Sequence, residues 1–193
     1  MPISALDPTT ALLVIDLQHA TVRNPTVHPI DGIVANAARL ASAFRRHGLP
    51  VALVSADLNE PPPGRTELGR PRAPIPADAL EIVPGLAPQP GDIRITKRGW
   101  SAFAGTALDA RLAERDVTQV VIAGIATSFG VESTARHAYD AGYHVTIALD
   151  AITDLDAQSH ERGVTRVFPV LGETGTTDQI LTLLASSDVA APF

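Results

Sequence analysis

The sequence predicts an α/β fold of three layers: a mostly parallel, six-stranded sheet with helices on both faces. Short apolar runs alternate along the chain with segments of helical apolar spacing, which is the order that builds a parallel sheet. The first run, "ALLVID" (11–16), is apolar on both faces, as a strand covered from above and below must be. The chain has 193 residues, 45% hydrophobic and 19% charged. That is enough for one domain, residues 1–193, with a sizeable core. Aromatic residues make up 4%, so Ala, Val, Leu and Ile must fill that core.

The elements follow in order. "ALLVID" (11–16) reads as a buried strand ending in an acid. "DGIVANAARLASAFRRHG" (31–48) places Ile33, Ala37, Leu40, Ala41 and Phe44 on one helical face, with Asp31 to cap its start and Gly48 to end it. "PVALVS" (50–55) is a second strand. Residues 56–92 then break the rhythm, holding nine of the 16 prolines. So proline-rich a segment cannot sustain a long regular element. Lying between strands, it reads as a lid or subunit-contact loop rather than a linker. "DIRITK" (92–97) is a third strand, and 105–116 a helix with Leu108 and Leu112 on one face. "TQVVIAGI" (118–125) is the most apolar strand and hence central. Residues 131–142 form a helix ended by Gly142, and "HVTIALDA" (144–151) a fifth strand. A helix broken near Pro169, a short strand near "GETGT" and a helix over 177–185 complete the pattern.

Composition narrows the function. The formal net charge is −6, which argues against nucleic-acid binding, because that needs a basic face to displace counterions. There are no cysteines, so disulfides, thiolate metal sites and a thiol nucleophile are excluded together. No leader pattern opens the sequence, and no apolar stretch approaches the roughly 20 residues that span a bilayer. A cytoplasmic protein with no membrane partner is the expectation. The six histidines are scattered with no pair at ligand spacing, so no metal is expected; the expected chemistry uses no organic cofactor either.

In an open parallel sheet, ligands gather beyond the carboxyl ends of the strands. There stand Asp16, with Gln18 and His19 after it; Lys97, followed by "RGWSAF"; the "GIATSFG" turn at 124–130; and Asp150. An ammonium beside a carboxylate favours its charged form, while apolar burial disfavours it. The balance decides whether Asp16 works as an acid or a base. The same spacing also suits an ion pair that only braces strand ends. A helix beginning near Val131 aims free N–H groups at the rim, where they can hold an oxyanion or a carboxylate; an ordinary strand–helix turn would read the same. Arg65 and Arg98 can grip an anionic substrate through their guanidinium forks, or simply be solvated. Trp100, Phe103 and Phe129 are candidates for an apolar pocket wall, or for core.

"ALLVIDLQ", "ITKRGWSAFAGTALDARL" and "VVIAGIATSFGVESTARHAYDAGYHVTIALDA" together resemble the three signature regions of the isochorismatase-like hydrolases, a Rossmann-like family also called the cysteine hydrolase superfamily. The likeness runs from about residue 10 to about 185. It implies catalytic roles for Asp16 and Lys97, and it puts Gly130 where most members carry the nucleophilic Cys. It also implies a non-proline cis peptide between Ile125 and Ala126, with the N–H groups of Ala126 and Gly130 as oxyanion donors. Amidase members attack a carbonyl with the thiolate, which this chain cannot do. Isochorismatases proper also have Gly at that position. They protonate a vinyl ether from the Asp and let water add to the oxocarbenium-like centre. Asp16, Lys97 and Gly130 fit that pattern, although "ATSFG" stands where those enzymes show an aromatic and a histidine. The resemblance further implies a small-molecule substrate and a homo-oligomer, either dimer or tetramer.

Two other readings are open. "ATSFG" is one residue short of a G-x-S-x-G nucleophile elbow, and Ser128, Asp150 and His160 follow in the order of a hydrolase triad. Alternatively, the chain binds a small acid without turning it over.

Overall fold

The computed structural model describes residues 2–60, 67 and 73–187. Six strands form one sheet in the order β3-β2-β1-β4-β5-β6. They are β1 (Thr10–Ile15), β2 (Val51–Ala56), β3 (Ile93–Lys97), β4 (Gln119–Ile125), β5 (His144–Thr153) and β6 (Glu173–Gly175). Every pairing is parallel. The helices are α1 (His19–Val22), α2 (Ile30–Arg46), α3 (Leu108–Ala113), α4 (Glu132–Asp140), α5 (Ala157–Arg162), α6 (Phe168–Leu171) and α7 (Thr177–Ser187).

The alternation of strand side chains divides the core in two. Leu12 and Val14 of β1 pack with Ile33, Ala37, Leu40 and Phe44 of α2 and with Ile180 and Leu184 of α7. Ala11, Leu13 and Ile15 face the other layer, made by α3, α4 and α6. All six β1 residues are buried, which is why the strand reads as one apolar run instead of an alternating one.

Strand order reverses between β1 and β4, so the crevice beyond their carboxyl ends is the natural ligand position of the fold. Gly124 makes that junction possible. Its φ is +123°, and a Cβ on it would come 2.0 Å from the carbonyl oxygen of Ile15. No other residue lets β4 approach β1 so closely there.

Several sequence boundaries shift. β5 runs on to Thr153, because its register against β4 slips between Ile122 and Gly124, which pair with Ile147 and Ile152. Asp150 is therefore inside the strand and away from the rim. Its carboxylate accepts the N–H and hydroxyl of Thr177 at the start of α7. Asp31 sits within the first turn of α2 and makes no cap bond; the capping position is Pro29. The 105–116 helix shortens to α3. Between β2 and β3 the described residues form two 3-10 turns, Ala77–Leu80 and Pro84–Leu86; residues 61–66 and 68–72 of that proline-rich segment lie outside the described residues. Among the described residues, no helix is long and apolar enough to cross a membrane.

Candidate active site

β1 ends at Ile15, and the next residue turns sharply. Asp16 has φ +52°, a left-handed conformation that costs most side chains but that Asp tolerates better than bulkier residues. Three bonds hold it there. Its N–H donates to the Val54 carbonyl at 2.9 Å, and its own carbonyl accepts from the Gln18 N–H at 2.9 Å and from the Thr21 hydroxyl. The turn aims the carboxyl group over the end of the sheet.

Lys97 is the last residue of β3, and β2 lies between it and β1. Its stem crosses that gap almost wholly buried, and Nζ stops 2.8 Å from Oδ2 of Asp16 and 3.2 Å from the Gly99 carbonyl. The other carboxyl oxygen, Oδ1, is buried with no hydrogen-bond partner. Burial pushes the Asp16 carboxyl up from 3.8 to about 6, against the opposing pull of the Lys97 ammonium. An ionised carboxylate with one unsolvated oxygen is costly, so a proton there relieves it.

The third part is the turn after β4. The Ile125–Ala126 peptide is cis, at the bond that the family likeness indicates. Residues Thr127–Val131 form one π turn that leads into α4. The Ala126 carbonyl closes this turn by accepting from the N–H groups of Phe129 and Val131. Gly130 packs directly on the acid: a Cβ there would lie 2.9 Å from Ile15 Cγ2 and 3.0 Å from Asp16 Oδ2.

Asp16, Lys97, Ala126, Phe129 and Gly130 all line one cavity of about 410 Å³, together with Arg98 and Trp100. Its size is ordinary for a small-molecule site. Two of the expected substrate contacts are elsewhere. Gln18 is fully buried, and its amide is consumed by backbone: it donates to the carbonyls of Ala56 and Leu80 and accepts from the Ala56 N–H. It ties the ends of β1 and β2 to the following segment instead of facing the cavity. Phe103 is core, stacked on His137 at 5.2 Å between ring centres. Arg65 lies outside the described residues.

The Ser128 triad is not assembled. Nδ1 of His160 pairs with the Thr127 hydroxyl at 2.9 Å, and Asp150 is engaged with α7. Ser128 instead donates its N–H to Oδ2 of Asp154 at 2.6 Å.

The sequence reading missed Asp154, which immediately follows β5 and is buried, and Asp57, which follows β2 and lines the cavity with Leu58, Glu60, Ile75 and Leu155. Both aspartates occupy the same post-strand position as Asp16, so correct strand ends would have found them. Among the described residues, no three His, Asp or Glu side chains are grouped as a metal site.

A family model described as the isochorismatase domain matches residues 10–179. The chain belongs to the isochorismatase family. An isochorismatase family protein of Bacillus subtilis, YwoC, is 38% identical over 181 residues, covering 89% of this chain and 92% of that one. The ureidoacrylate amidohydrolase RutB of Methylobacterium radiotolerans is 32% identical over 190 residues, covering 82% of this chain and 72% of its own length. An isochorismatase family protein of Burkholderia thailandensis, with a solved structure, superposes with a TM-score of 0.89 at 36% identity, over 94% of this chain and 98% of that one. The all-parallel sheet with helices is thus the isochorismatase fold, and the chain is a member of a hydrolase family.

Proposed function

We propose that this isochorismatase-family protein hydrolyses a small metabolite carrying an anionic group by acid–base chemistry at Asp16, without a covalent intermediate. The observation that carries this is the buried Asp16–Lys97 pair at 2.8 Å, set against a glycine at residue 130 instead of a nucleophile. A carboxyl group raised to about 6 is largely protonated in mildly acidic solution and still strong enough to give its proton up near neutrality.

On a vinyl ether the chemistry would be acid-catalysed hydration. Asp16 delivers its proton to the terminal alkene carbon, leaving a carboxylate that Lys97 stabilises. The ether carbon becomes oxocarbenium-like and takes a water molecule, whose proton returns to Asp16. The resulting hemiketal then collapses to a carbonyl compound and an alcohol. The N–H groups of Ala126 and Gly130 would hold the substrate's carboxylate, with Arg98 at the cavity wall.

The named activity of RutB supports a second reading, amide hydrolysis. Here it would need water activated by Asp16 as a base, since the chain has no cysteine. A turnover screen with isochorismate, simple vinyl ethers and a panel of amides separates the two. Asp16→Asn should remove at least a thousandfold of the turnover found while leaving the fold intact. An Asp16→Asn enzyme of near-normal activity overturns both readings. A well-folded protein that turns over nothing yet is stabilised by small carboxylates would be a binding protein.

A further inference from the structure

Around the mouth of the cavity, large apolar side chains face water. Trp100 is 60% exposed, Leu155 51% and Phe129 43%. These are three of the five large hydrophobics at least 43% exposed among the described residues. The Trp100 and Phe129 rings meet edge to face with centres 5.2 Å apart, an aromatic pair against which a flat guest can pack. Leu58 and Ile75 also line this cavity. Exposed apolar surface gathered at one place marks a binding site rather than chance.

The charges on the same wall are arranged differently from the floor. Asp57, Glu60 and Arg98 all line the cavity. Asp57 is fixed at the rim, because its Oδ1 accepts the N–H groups of Asn59 and Glu60. Two carboxylates there repel a second negative charge on a guest whose first charge is already held at the floor.

From this geometry we infer that the substrate is an amphipathic monoanion, with a planar apolar body held by Trp100 and Phe129 and one small polar head at Asp16 and Lys97. This rests on the site assignment above and adds the class of molecule. It separates the substrate from small polyanionic metabolites, which offer the rim nothing to bury.

Trp100 is the only tryptophan in the chain, so its emission reports directly on the mouth. The test is a titration of the whole protein with three probes: benzoate, with ring and one charge; acetate, with the charge alone; and isophthalate, with the ring and two charges. Benzoate should shift Trp100 emission saturably and raise the melting temperature, acetate should do neither at equal concentration, and isophthalate should bind more weakly than benzoate. Phe129→Ala should weaken benzoate about tenfold without lowering the melting temperature of the free protein, since that ring is half exposed. Glu60→Gln should narrow the gap between isophthalate and benzoate. Calorimetry with Trp100→Ala checks the same loss without the fluorophore. Acetate binding as well as benzoate, isophthalate binding more tightly, or no saturable change with benzoate would each overturn the inference. So would an emission shift that follows protein concentration in the absence of probe, which would assign the rim to contact between copies. Binding is the readout throughout, so this result stands apart from whether Asp16 performs the chemistry.

Discussion

A Cβ placed on Gly130 would stand 3.0 Å from Oδ2 of Asp16, the same oxygen that Lys97 holds at 2.8 Å. Gly130 is thus a close neighbour of the acid and not simply an empty position beside it. On its other side, Ile15 is fully buried and cannot retreat, so an added methyl must displace the carboxyl group. Gly130→Ala should lower kcat/KM by about 10- to 100-fold and cost about 1–3 kcal/mol of stability. Gly130→Cys carries the same Cβ and should gain no amide hydrolysis. Steady-state kinetics and thermal melts of the two variants check this, and a Cys variant with new amidase activity would contradict it.

The Asp16 carboxyl, raised to about 6 by burial against the pull of Lys97, fixes the direction of the pH dependence. A general acid must enter the reaction protonated, so kcat/KM should be flat below about pH 6 and fall tenfold per unit above it. A general base gives the mirror image, a rise toward pH 6, so the same profile decides between vinyl-ether and amide chemistry. Stability follows one sign in either case. The folded state holds this proton more tightly than the unfolded chain, whose value is near 3.8. The contribution is therefore complete below about pH 4 and lost as pH rises through about 6, on the order of 3 kcal/mol in all. Denaturant titrations between those limits, with Asp16→Asn as the control lacking the step, measure it.

Lys97 opposes the burial of Asp16, so removing its charge has a directional consequence. In Lys97→Met, a variant of similar length, nothing counters desolvation and the acid should hold its proton more tightly still. The descending limb of the pH profile should move above 6 while the maximal rate drops. A purely bracing Lys97 would lower stability without moving that limb.

The central strands β1 and β4 were legible because their runs are apolar on both faces, and the rim followed from the rule that parallel sheets bind ligands at their carboxyl ends. Asp16, Lys97 and the 124–130 turn come together for that reason. What was not legible arose from features outside local pattern. The register slip in β5 carries Asp150 off the rim and puts Asp154 on it, and no periodicity announces a bulge. Gln18 follows the acid by two residues, but its fate depends on the carbonyls of Ala56 and Leu80, which are distant in sequence. Phe103 and Phe129 both fall near site residues; only packing separates the ring on His137 from the ring on Trp100.

Asp154 braces the turn that carries Ala126 and Gly130. It is buried, and it accepts the N–H of Ser128 on Oδ2 at 2.6 Å and that of Leu155 on Oδ1 at 2.7 Å. A parallel strut runs from Thr127 to Nδ1 of His160, whose ring meets that of His28 at 4.7 Å. Burial, followed by repulsion from His28, lowers the basicity of His160 against the opposing charge of Asp154. Asp154→Ala strands two backbone N–H groups and should cost about 3 kcal/mol. It should also lower kcat about tenfold or more with little change in KM, because the turn loses its aim while the cavity walls remain. Asp154→Asn keeps one acceptor oxygen and should recover part of both losses. If kcat is unchanged in Asp154→Ala once unfolded protein is accounted for, the carboxylate is a fold brace alone and the aim of the turn is set by Gly124 and α4.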